Sequence, residues 1–211
     1  TGLSTAVRNL AGFANSGTAG YFAGGDDGVT SYTTVNKFAF ADDSRTTLGT
    51  GLSATSDHFA GMANSGTAGY AGGIGTGFTA TVNKFAFSDD GRTTLGTGLS
   101  AGREALAGAA NSGTAGYFAG GTTGSAVTTV DKFAFSDDGR TTLGTGLATA
   151  VYLLGGMANS GTAAYFAGGF GTSTIATVNK FAFADDSRTT LGTGLSIATD
   201  SLAGMANAGT I

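Results

Sequence analysis

Asn15-Ser-Gly-Thr-Ala-Gly-Tyr-Phe-Ala-Gly-Gly25 returns letter for letter at Asn111–Gly121. It returns with one change at Asn159–Gly169 and with one residue missing at Asn64–Gly73. The closing glycines stand at Gly25, Gly73, Gly121 and Gly169, a spacing of 48 each time. A fixed period of this length means one supersecondary unit used repeatedly, each copy burying a face against its neighbours. The units read 2–50, 51–97, 98–145 and 146–193, with a partial fifth over 194–211.

Working outward from the quoted stretch, Leu10–Ala14 is a run of small and apolar residues ahead of an Asn-Ser-Gly turn. Thr18–Ala23 reads as a second strand, ended by Gly24-Gly25. After a loop of changing sequence, Thr33–Phe40 alternates with period two and is rich in β-formers. Asp42-Asp43-Ser44 turns the chain, and Arg45-Thr-Thr-Leu48 starts a fourth strand that runs on toward Leu52. The frequency of glycine and the lack of an i, i+3, i+4 apolar stripe of useful length argue against helix. Four short strands joined by tight turns make an antiparallel meander. Such sheets packed radially form a β-propeller, with the Ala/Gly-rich first strand in the crowded place beside the axis. The alternative, a β-solenoid, fits less well because two tight polar turns per repeat specify hairpins. The missing residue in the second unit, around Tyr70-Ala71-Gly72, predicts an irregularity near Tyr70, because a one-residue slip inverts side chains unless a bulge absorbs it.

Composition narrows the function. Glycine supplies 39 of 211 residues, against a usual level of about 7%, yet the glycines hold fixed places beside Phe, Tyr and Leu, which argues for order. The net charge is −4 with no basic run, which argues against nucleic acid as a partner. No apolar stretch is long enough for a membrane-spanning helix, so no membrane insertion is expected. Cysteine is absent, which removes disulfides and thiolate chemistry and leaves the compartment open.

The order of a small apolar strand, a turn, Tyr-Phe-x-Gly-Gly, a loop, Val-x-Lys-Phe-x-Phe, a turn and Thr-Thr-Leu resembles the kelch repeat. That is the propeller type of bacterial and phage kelch-like proteins and of the galactose-oxidase central domain. The pairs Gly24/Gly25, Gly72/Gly73, Gly120/Gly121 and Gly168/Gly169 match the family's double glycine. Phe38, Phe85, Phe133 and Phe181 stand roughly where the family has an aromatic. The family's Trp is missing throughout. The resemblance covers the whole chain and implies a fold more than a function, since such propellers host enzymes and binding platforms alike. Copper chemistry of the galactose-oxidase kind does not follow, because the chain has one His and no Cys.

Gly2–Ala19 and Gly194–Ile211 share one phase, so the chain holds four units plus a surplus first strand. This strand predicts self-association, a ring shared between copies, or a longer array. The paired carboxylates Asp42/Asp43, Asp89/Asp90, Asp137/Asp138 and Asp185/Asp186 read as hairpin turns rather than calcium sites. The Arg that follows each pair is placed to neutralise one carboxylate. The strand lysines Lys37, Lys84, Lys132 and Lys180 are expected to pair with carboxylates or to cap blade edges. No set of residues supports a catalytic mechanism, and no cofactor or metal is expected.

The repeats agree at the first-second and third-fourth turns and diverge in the other two loops. Asp26–Tyr32, Ile74–Phe78, Thr122–Val127 and Phe170–Ile175 link second to third strands. Thr5–Asn9, Ala54–Phe59, Ala101–Ala105 and Ala148–Leu154 lead into first strands. In an up-and-down blade these loops share one face of the disc, which would carry Tyr32, His58, Phe78, Arg103, Tyr152 and Phe170. Variable loops on a rigid scaffold are where recognition sits, so a glycan or protein surface is the expected partner. The alternative is a structural repeat of an extracellular or phage appendage, or an engineered or excised scaffold without a ligand.

Overall fold

The computed structural model describes residues 2–204. It contains sixteen strands in four antiparallel four-stranded sheets, and no helix among the described residues. The first sheet comprises β1 (Ala11–Asn15), β2 (Ala19–Ala23), β3 (Val35–Ala39) and β4 (Arg45–Thr47). The second comprises β5 (Ala60–Asn64), β6 (Ala68–Gly72), β7 (Val82–Ala86) and β8 (Arg92–Thr94). The third comprises β9 (Ala107–Asn111), β10 (Ala115–Ala119), β11 (Val130–Ala134) and β12 (Arg140–Thr142). The fourth comprises β13 (Gly155–Asn159), β14 (Ala163–Ala167), β15 (Val178–Ala182) and β16 (Arg188–Thr190). Each repeat is thus one meander, and the chain is a β-propeller of four blades.

Local chemistry fixes each hairpin. Gly17 takes the left-handed conformation (φ 71°) that closes the Asn-Ser-Gly turn, where the Thr18 N–H donates to the Asn15 carbonyl at 3.0 Å. In the second hairpin the Asp42 carboxylate caps the Ser44 N–H at 3.0 Å, and Asp43 takes φ 55°. The fourth strand continues in the pairing sense beyond β4: the Leu48 and Leu52 amides donate to the Val35 and Thr33 carbonyls.

The inner strands β1, β5, β9 and β13 pack side by side. A methyl group at Gly61 would strike the Gly12 carbonyl, one at Gly108 that of Gly61, and one at Gly156 that of Gly108. The second position of every inner strand is glycine because two backbones meet there. Gly204 stands against Gly156 in the same way, so the start of the fifth unit follows the path of an inner strand. The rest of that unit's first strand lies outside the described residues.

Side chains then lock each blade to the next. The Phe13 ring covers Gly69, and the Met62 sulfur covers Gly116. In the third junction, Ala109 is followed by Ala164, both buried in one core cluster. Tyr21 stacks on Phe87, Tyr70 on Phe135 and Tyr117 on Phe183, with ring centroids 5.2 to 5.5 Å apart.

The irregularity expected near Tyr70 is not there. β6 pairs regularly on both sides, with Met62↔Tyr70 and Tyr70↔Lys84, as Phe13↔Tyr21 and Tyr21↔Lys37 do in the first blade. The deletion falls at the double glycine instead. Gly24 and Gly25 donate to the separate carbonyls of Thr34 and Ser56, whereas Gly73 and Ile74 both donate to Thr81. Loss of a residue where pairing has already ended leaves the register untouched.

Candidate functional site

The Asp-Asp turns do more than turn the chain. The first carboxylate caps its own hairpin: Asp89 accepts from the Gly91 N–H and Asp137 from the Gly139 N–H, both at 2.9 Å. The second reaches back to the preceding blade. Asp90 accepts from the Tyr21 hydroxyl and the Lys37 ammonium, both at 2.8 Å. Asp138 receives Tyr70 and Lys84, and Asp186 receives Tyr117 and Lys132, in the same manner. The left-handed conformation of Asp90, Asp138 and Asp186 (φ 58° each) aims the carboxylate across the junction. Burial, with the hydrogen bond to the carboxylate second, raises the pKa of Tyr21, Tyr70 and Tyr117. The neighbouring arginines do not neutralise these turns. Arg92 and Arg140 donate to Thr94 and Thr142 in their own strand, at 2.7 Å.

On the opposite loops, in the first, third and fourth blades the segment leading into the first strand pairs with the loop after the second strand. The bridges are Arg8↔Asp26, Glu104↔Thr122 and Tyr152↔Phe170. A cleft of about 660 Å³ opens between the loops of the second, third and fourth blades. Phe78 and Tyr152 are among the residues that line it, with the polar residues Glu104, Thr122, Ser125 and Thr172. Phe78 is 48% exposed and reaches over Gly124, where an added methyl group would touch its ring at 3.6 Å. Tyr152 is held by Phe170, with ring centroids 5.6 Å apart at 59°.

The six residues singled out in the sequence are therefore distributed. Phe78 and Tyr152 both line the cleft, and Phe170 packs against Tyr152. Tyr32 lies in the first blade, its hydroxyl donating to Asp27 at 2.7 Å. That bond, with the Thr30 and Val29 amides, holds the Asp27 carboxyl down to about 2. His58 (φ 53°) belongs to a backbone ladder: its N–H donates to the Asn9 carbonyl, Ala105 donates to His58, Leu153 to Ala105 and Ser201 to Leu153. Arg103 does not reach solvent. It is fully buried and pairs with Asp131 at 2.9 Å, and its second contact is the Phe118 carbonyl at 3.1 Å. Burial would raise the Asp131 carboxyl, but hydrogen bonds from Thr142 and Ser100 and the Arg103 charge outweigh it, and its pKa falls below the usual carboxylate value.

The cleft residues that sequence reasoning missed are Glu104, Thr122, Ser125 and Thr172. One signal was available for Glu104: it is the only glutamate in the chain and stands in a loop where the repeats diverge.

No protein-family model matches the chain. No curated protein matches it. Among solved structures it is similar to "Structure of YjhT", with a TM-score of 0.76 and 11% identity over 94% of this chain and 74% of that one. At that identity the likeness speaks for the fold alone.

Proposed function

We propose that the chain is a kelch-like, non-enzymatic recognition module that binds carbohydrate in the cleft lined by Phe78 and Tyr152. The observation that carries this reading is a cleft among the divergent loops whose lining includes the exposed Phe78 ring, Tyr152 packed against Phe170, and the polar residues Glu104, Thr122, Ser125 and Thr172. Aromatic faces stack on the apolar faces of sugar rings, while hydroxyl and carboxylate oxygens accept and donate around the sugar's rim. The cleft is built from the loops in which the repeats differ, on blades whose frame is nearly invariant, so its chemistry is set without disturbing the scaffold.

A glycan array probed with the labelled protein tests this. Binding to a subset of glycans is expected, with Phe78→Ala and Tyr152→Ala each weakening it at least tenfold and Tyr32→Ala leaving it unchanged. Glycan binding that survives the two cleft substitutions contradicts the assignment. Binding of proteins but no glycans through the same two residues would make the occupant a protein surface instead.

A further inference from the structure

The three junctions between successive blades are built alike, and the outer blades carry the two unmatched halves of a fourth. On the first blade, Asp43 is exposed and has no side-chain partner among the described residues, where Asp90, Asp138 and Asp186 are half-buried clamps. Phe40 is 51% exposed, where its counterparts Phe87, Phe135 and Phe183 stack on tyrosines. Phe22 is 43% exposed, where Phe118 and Phe166 are fully buried. On the fourth blade, Tyr165 and Lys180 have no acidic partner among the described residues. Met157 is 45% exposed, where Phe13, Met62 and Ala109 are buried.

We propose that these faces form one head-to-tail interface between two copies of this chain, with the first blade of one copy docking on the fourth blade of the other. Charge and size both match. Asp43 would accept from Tyr165 and Lys180, as Asp90 does from Tyr21 and Lys37, and Phe40 would stack on Tyr165. A large inner-strand residue is always met by a glycine on the following blade, as Phe13 is by Gly69 and Met62 by Gly116. Met157 is large, and the first blade presents Gly20, whose only near neighbour is the Phe40 ring at 3.4 Å. The interface is heterologous, so it generates closed rings or open rows rather than an isologous pair.

The segment 194–204 runs past the fourth blade as 2–12 runs into the first, with Gly204 on Gly156 where Gly12 of the docking copy would come. The two segments are equivalents, and docking exchanges one for the other. This leaves the clamp, the aromatic stack and the Met157 contact as the net gain. The proposal does not depend on the cleft, which lies among the opposite loops.

Sedimentation velocity from micromolar to millimolar protein tests it. The wild type is expected to gain mass with concentration, and less so at high salt. Asp43→Lys and Lys180→Glu should each remain monomeric with unchanged thermal midpoints, since neither side chain has an intramolecular partner among the described residues. An equimolar mixture of the two variants should associate again, because each supplies the end that the other lacks. A wild type monomeric throughout, a variant that associates like the wild type, or a mixture that stays monomeric would each overturn the proposal.

Discussion

Arg103 and Asp131 show the repeat varying in a coordinated way at single positions. Where the third blade has this buried pair, the second has Ser56 with Asn83 and the fourth has Val151 with Asn179, all buried. The exchange of Asn for Asp accompanies the arrival of a buried guanidinium, as charge balance requires. Asp131→Asn should strand the guanidinium and cost about 3 kcal/mol, and Arg103→Ser should cost a comparable amount. The double variant, which copies the second blade, should recover most of that loss, and a denaturant-melt cycle checks the coupling. The tyrosines give a pH prediction. Their folded pKa values are raised above the ordinary tyrosine value of about 10, so their contribution is fully present below about pH 10 and is lost as pH rises through the folded values. Tyrosinate absorbance should therefore rise for Tyr70 and Tyr117 only together with loss of the β-sheet circular dichroism. At this scale the sequence was only partly legible. Lys37, Lys84 and Lys132 were expected to find carboxylates and do so. Arg103 read as a loop residue, because nothing in one loop reveals that its side chain turns inward to a residue 28 positions later.

The strands were largely readable, because alternation and turn residues are local signals and the unit is stated four times. What the sequence did not disclose was where the second unit absorbs its deletion. A missing letter can be assigned to the strand or to the turn, and only the pairing of Tyr70 with Met62 and Lys84 places it in the turn. The junctions likewise depend on pairs that are distant in sequence. Gly116→Ala should collide with the Met62 sulfur and destabilise the protein by about 1–3 kcal/mol, the usual cost of overpacking. Combined with Met62→Ala it should be relieved in part, since the third junction already works as Ala109 with Ala164; thermal melts of the single and double variants decide this. The outer strands β4, β8, β12 and β16 are three residues long and threonine-rich, which blunts the edges that each sheet turns to solvent.

At the scale of the whole molecule, one set of loops holds blades together through its side chains, while the other does so through backbone bonds and leaves its side chains free to differ. The Asn-Ser-Gly turns carry their own cross-blade bonds: the Asn15, Asn64 and Asn111 side chains accept from the Gly66, Gly113 and Gly161 amides at 2.7 to 2.9 Å. These bonds account for the invariance of the Asn and Gly in those turns. The position of the cleft was less legible, because it brings together loops of three blades, from Phe78 in the second unit to Tyr152 and Thr172 in the fourth. Substituting Tyr32, far from the cleft and tied to Asp27, should leave ligand binding intact while removing the bond that depresses the Asp27 pKa, which a carboxylate titration by NMR would register. The central claim is that recognition takes place among the divergent loops. Amide chemical-shift mapping with a glycan identified on the array tests it most directly. The account predicts perturbations clustered at Phe78, Glu104, Thr122, Ser125, Tyr152 and Thr172. Perturbations gathered instead on the Asn-Ser-Gly and Asp-Asp turns would contradict it.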